Sequence, residues 1–118
     1  MSTQSKPFLT LEEYLEQERT ALDRHEYLNG EIFVMAGGTE PHSLIASNIL
    51  GELYGQSKGR DCTAYNGHMR LRTGPTGLYS YADAVVSRVP TQVENDTLLN
   101  PVVIVEVLSK STASYAGA

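Results

Sequence analysis

Two carboxylates in this chain stand where a carboxylate is expensive to keep. Glu106 interrupts Val102-Val103-Ile104-Val105-Glu106-Val107-Leu108, a run that otherwise asks for burial on both faces of a strand. Asp83 heads a second apolar run, Ala84-Val85-Val86. An unpaired carboxylate in such surroundings costs several kcal/mol, so Glu106 needs a metal, a cation, a proton or an open strand end. Asp83 has an alternative role as a turn cap after Tyr79-Ser80-Tyr81. Carboxylates at the ends of adjacent strands can converge on one side of a sheet, and hard oxygen ligands so placed suit Mg²⁺ (or Mn²⁺). A cation held there polarises a phosphodiester and lowers the pKa of an attacking water.

Other reactive residue types carry weaker patterns. His25 and His68 lack partners at zinc-ligand spacing. His42 opens a helix, where capping is its expected role and an approach to a metal the alternative. Glu31 follows an Asn-Gly turn, where acids are usually solvated. Cys62, the only cysteine, has no activating neighbours and reads as a small core residue. Gly37-Gly38 is a turn and does not form a phosphate-binding loop. Lys58, Arg60, Arg70 and Arg72 lie in a stretch with a single acid, Asp61. They offer either a solvated face or a patch for DNA phosphates.

The elements that must position these groups follow from patterning. Thr10-Leu11-Glu12-Glu13 has the form of a capping box opening a short helix to about Arg19. Tyr27 to Phe33, with Asn29-Gly30 at its centre, reads as a β-hairpin. Helical spacing of Ile45, Ile49, Leu50, Leu53 and Tyr54 predicts a second helix from about Pro41 to Lys58, closed by Gly59. Residues 62–72 alternate, predicting one half-buried strand with Tyr65, Met69 and Leu71 inward and Asn66, His68, Arg70 and Arg72 outward. After a turn at Gly74-Pro75-Thr76-Gly77, strands are expected over Asp83–Arg88 and Val102–Leu108, the latter buried and central. The class is α+β.

Four stretches then resemble a large bacterial family of restriction-endonuclease-like proteins in the PD-(D/E)xK superfamily. They are Phe8-Leu9-Thr10-Leu11-Glu12-Glu13-Tyr14, His25-Glu26-Tyr27-Leu28-Asn29-Gly30-Glu31, Tyr81-Ala82-Asp83 and Val105-Glu106-Val107-Leu108-Ser109-Lys110-Ser111-Thr112. The resemblance implies a mixed β-sheet flanked by helices, with an N-terminal helix and hairpin. It implies metal-ligand roles for Asp83 and Glu106 and an assisting role for Glu31. The chain departs from the family in three ways: Ala82 and Lys110 replace usual prolines, and the helix and strands that normally follow are absent. The superfamily's lysine two residues after the glutamate is Leu108 here, which makes Lys110 the nearest candidate. The 118 residues are therefore expected to be one domain lacking its C-terminal helix and strands.

The leading expectation is a Mg²⁺-dependent DNA endonuclease using a metal-activated water. Asp83, Glu106 and a carbonyl near Val107 would hold the ion, and Arg70 and Arg72 would meet phosphates. The alternatives are a non-catalytic nuclease-fold remnant and a DNA-binding or dimerisation module. The net charge of −5 argues mildly against strong non-specific DNA binding. The lone cysteine and the absence of an apolar leader point to the cytoplasm, and no run is long enough to span a bilayer. An incompletely covered Val102–Leu108 strand points to a homodimer.

Overall fold

A computed structural model describes residues 8–35, 37–74 and 77–108. Helix α1, Leu11–Glu18, starts with both arms of the expected capping box. Thr10 Oγ1 accepts the Glu13 amide, and Glu13 Oε1 accepts the Thr10 amide, satisfying two donors that a helix start leaves open. Strands β1, His25–Leu28, and β2, Glu31–Val34, form the predicted hairpin. Its turn residues Asn29 and Gly30 have φ of 51° and 88°, the left-handed geometry that Asn-Gly tolerates. Helix α2, Glu40–Ser57, ends as expected, with Gly59 at φ 76° just beyond it.

The remaining strands form two sheets. Strands β3 (Cys62–Asn66), β6 (Ala84–Arg88) and β9 (Pro101–Val105) make a three-stranded antiparallel sheet with β6 in the centre. The other strands are β4 (Arg70–Thr73), β5 (Leu78–Tyr81), β7 (Val93–Glu94) and β8 (Thr97–Leu98). They join the hairpin in a six-stranded sheet of order β2-β1-β5-β4-β8-β7. The parallel pairing of β4 with β8 makes this sheet mixed. The fold class is α+β.

Three expectations are corrected. Residues 62–72 do not run as one strand: a turn at Gly67–Met69 breaks them into β3 and β4, which enter different sheets. The Val102–Leu108 run is not a buried central strand. Its ladder stops at Val105, among the described residues it pairs only with β6, and Val102, Val103 and Ile104 stay 44–50% exposed. The buried central strand is β6, whose residues Ala84 to Ser87 are all buried. Patterning assigns no strand between the turn at Gly74–Gly77 and Asp83, yet β5 pairs with β4 from Arg70↔Tyr81 through Thr73↔Leu78.

Leu71, Ala82, Val85 and Leu98 form the core cluster, with Tyr65 and Met69 packed against it. A second centre is aromatic. Tyr14 of α1 stacks on Tyr27, with ring centroids 4.8 Å apart, and meets the edge of Tyr79 at 6.1 Å. Helix α2 packs on β3 and β6 yet has no fully buried residue. Among the described residues no helix is long and apolar enough to cross a membrane.

Candidate active site

Antiparallel pairing of β6 with β9 sets the head of one strand beside the tail of the other, with Ala84 opposite Val105. Asp83 lies just before β6 and Glu106 just after β9, so topology alone makes them neighbours. The junction is tied twice. The Asp83 amide donates to the Val105 carbonyl at 2.9 Å, and the Val107 amide donates to Asp83 Oδ2 at 2.6 Å. The short second bond suits a charged acceptor. Asp83, Glu106 and Val107 line one small cavity of about 60 Å³ together with Arg24, Met35, Gly37, Gly38, His42, Tyr81 and Ala82. A single water needs about 10–15 Å³, so the cavity can hold a small hydrated group.

His42 comes to this site and is not the helix cap. Thr39 is the N-cap, its Oγ1 accepting the His42 amide, and the His42 Nε2 lies 3.3 Å from Asp83 Oδ1. A Cβ at position 38 would stand 2.6 Å from His42 Nδ1, so Gly38 is what lets the imidazole lie there. Glu26 of β1 also acts on the site. It is half-buried, burial raises its pKa, and its charge is felt at Glu106.

The Glu106 carboxyl is pushed above its ordinary value of 4.5, first by burial, then by the charges of Asp83 and Glu26, with His42 and Arg24 pulling it down. A carboxyl raised on folding binds protons that the unfolded chain has already lost, so stability falls as pH rises through the raised value. We predict that Glu106→Gln removes this fall. Melting temperatures measured across pH 4 to 8 without metal should decline less for the variant than for the parent above about pH 4.5. Parallel profiles would mean that Glu106 is not under this electrostatic pressure. More than a third of the Glu106 surface is exposed, so water screens the effect and the difference is modest.

The other candidates lie elsewhere. Arg70 is committed within the fold: Nε donates to Thr97 Oγ1 at 2.9 Å, Nη2 to the Asn95 carbonyl at 2.8 Å and Nη1 to the Tyr81 hydroxyl at 3.3 Å. Arg72 is exposed on the same strand. Glu31 is exposed at the hairpin turn, outside the cavity lining. His25 pairs with the nearly buried carboxylate of Glu18 at 3.0 Å. The His68 amide closes a turn on Asn66 Oδ1, and Cys62 is half-buried in β3. Lys110 lies outside the described residues. Patterning on its own missed Arg24 and Glu26, and for His42 it ranked the approach to the site below the capping role that Thr39 in fact fills.

A family model named Uma2, described as "Putative restriction endonuclease", matches residues 11–117. Two uncharacterized proteins of Synechocystis are similar to this chain. One is 33% identical over 110 residues, covering 92% of this chain and 58% of its own length. The other is 32% identical over 110 residues, covering 91% and 62%. The chain thus spans about three-fifths of the length of these relatives. A crystal structure from Anabaena variabilis, described as that of "a putative nuclease belonging to DUF820", shares the fold. Its TM-score is 0.65 at 19% identity, over 92% of this chain and 65% of that one.

Proposed function

The chain belongs to the Uma2 family of restriction-endonuclease-like proteins, and from that membership we propose that it is a nuclease domain hydrolysing DNA phosphodiesters with a divalent cation. The observation that carries this reading is the β6–β9 junction, which brings Asp83, Glu106 and Val107 to one cavity. Among the described residues no group of three or more His, Cys, Asp or Glu side chains forms a metal cage. Two carboxylates and the Val107 carbonyl are instead a donor set that fits Mg²⁺ or Mn²⁺, since Mg²⁺ keeps several waters and is commonly held by one or two carboxylates. When bound, the ion would polarise the phosphodiester and make a coordinated water a better nucleophile.

The protein's own part is positional. The Val107 amide fixes the Asp83 carboxylate on one side and His42 approaches it on the other. Burial and the charges of Asp83 and Glu26 push the Glu106 carboxyl up, a pressure that a cation bound between the acids would relieve. Lys110, four residues beyond Glu106, would supply positive charge to the developing oxyanions. Exposed Arg72 would meet backbone phosphates, while Arg70 holds the strand beneath it. We place the protein in the cytoplasm, read the 118 residues as one such domain, and carry a homodimer through β9, the edge strand among the described residues, as part of the same proposal.

Nicking of supercoiled plasmid with Mg²⁺ or Mn²⁺ tests the reading. We predict weak, cation-dependent nicking, because Leu108 occupies the superfamily's lysine position. It should be lost in Glu106→Ala and in Lys110→Ala. Nicking that survives Glu106→Ala would overturn the site. Nicking that survives only Lys110→Ala would leave the carboxylates in place and remove the role given to Lys110. Leu108 at the superfamily's lysine position favours the second reading, a non-catalytic DNA-binding remnant, which predicts DNA binding with no nicking under any cation.

A further inference from the structure

Arg24 precedes β1 and reaches the cavity of Asp83 and Glu106 from the other sheet. Its guanidinium lies 5.5 Å from the centre of the Tyr81 ring, and Nη1 donates to the Gly67 carbonyl. Gly67 is part of that seat. A Cβ there would come within 3.0 Å of the Ala82 carbonyl oxygen and 3.4 Å of Arg24 Nη1, so a side chain at 67 would press on the arginine.

A guanidinium carries five N–H donors in a fixed plane, and the Gly67 carbonyl is the one acceptor paired with it among the described residues. Arg24 lines the same cavity as two carboxylates, yet no ion pair within 4.0 Å joins it to either among the described residues. An arginine held by a ring and a carbonyl, and not neutralised by the acids beside it, can hold an anion that bridges to those acids through a cation. Arginine suits phosphate because it offers parallel donors at little ordering cost.

We propose that Arg24 is the phosphodiester-binding cation of this site, its guanidinium taking a non-bridging oxygen of the DNA phosphate that faces Asp83 and Glu106. This deepens the nuclease reading and rests on it. It gives Arg24 the phosphate-holding part of the work left open by Leu108, apart from any role of Lys110.

Two binding measurements on the full chain test the inference without requiring cleavage. Anisotropy of a labelled duplex in EDTA, over a range of salt, reports phosphate contacts. Calorimetric titration with Mn²⁺ reports the carboxylates. For Arg24→Ala we expect duplex affinity to fall about tenfold, the size of one charge-assisted hydrogen bond. The slope of log affinity against log salt should shrink by about one. Mn²⁺ should bind more tightly, because a positive charge has left the carboxylates. Arg24→Lys should keep the salt slope and the parent's Mn²⁺ affinity. A purely structural arginine would instead weaken both ligands together and leave the slope unchanged, and either result overturns the proposal. Parental binding of Mn²⁺ but not of duplex also overturns it. If the parent binds no Mn²⁺, the carboxylate site fails, and the salt slope in EDTA still decides the role of Arg24.

Discussion

Asp83→Ala should abolish Mn²⁺ binding and also loosen the end of β9. The carboxylate has two tasks in the structure. It is a proposed ligand, and it accepts the amide of Val107, a residue only 8% exposed. Alanine leaves that buried N–H without its partner, which costs about 1–3 kcal/mol. For a domain of this size the loss corresponds to a melting-point drop of roughly 4–8 °C per kcal/mol. The backbone bond from Asp83 to Val105 survives the substitution, so β6 and β9 should stay paired. Asp83→Asn separates the tasks: its amide oxygen can still accept from Val107, but a neutral group is a poor ligand for a hard cation. We expect no calorimetric signal with Mn²⁺ from either variant, and a melting temperature near the parent's for asparagine only. An alanine variant that binds Mn²⁺ as the parent does would remove Asp83 from the site.

Tyr14→Ala should bring the domain close to unfolding. Tyr14 is 1% exposed and is the main anchor of α1, an eight-residue helix. A helix that short does not persist in water without tertiary packing. Its ring stacks on Tyr27 and meets Tyr79, its hydroxyl donates to the His25 carbonyl at 2.6 Å, and Arg70 lies 5.9 Å from its centre. Burial and the neighbouring Tyr81 and Glu18 push its phenol far above the usual range, so the hydroxyl stays protonated and donating. Removing a buried aromatic side chain costs about 3–5 kcal/mol, against a total of about 5–15 kcal/mol for ordinary domains. The urea midpoint of Tyr14→Ala should therefore fall to a small fraction of the parent's. Tyr14→Phe, which loses only the hydrogen bond, should cost about 1 kcal/mol. An unchanged midpoint in the alanine variant would mean that α1 is not anchored by this ring.

Local signals carried far where the chain's own neighbours decide the outcome. Thr10 and Glu13, Asn29 and Gly30, and Gly59 all act within a few residues, and each sits where its chemistry places it. Alternation over residues 62–72 misled because the turn at Gly67–Met69 preserves the inward sense of Tyr65, Met69 and Leu71. All three meet one core cluster although two sheets supply them, and periodicity cannot reveal which strand pairs with which. Strand β8 has only two residues, too few for any period, yet Thr97 and Leu98 are both buried. The Val102–Leu108 run reads as central because apolar residues prefer burial, but apolarity does not forbid an edge. Arg70 reads as outward-facing by parity, and only the fold brings Thr97 and Asn95 within its reach.

The neighbourhood of Asp83 and Glu106 was legible because antiparallel strands bring a head to a tail. Arg24 and Glu26 come from around the start of β1 and His42 from the first turn of α2, and no spacing rule joins them to the carboxylates. Their place depends on packing between the hairpin, α2 and β6.

The edge position of β9 has a consequence for the protein's life in solution. Among the described residues β9 is the edge strand of its sheet, and an edge flanked by Val102, Val103 and Ile104 can offer its outer amides and carbonyls to an extended chain. Pro101 guards one end of the strand, but there is no charged residue within it. Where such an edge is not closed by the proposed dimer, it is a template for strand-by-strand stacking. A lysine in place of Val103, which is 44% exposed, would act as a gatekeeper. It would lie outside the Asp83–Glu106 junction and disfavour pairing through this edge.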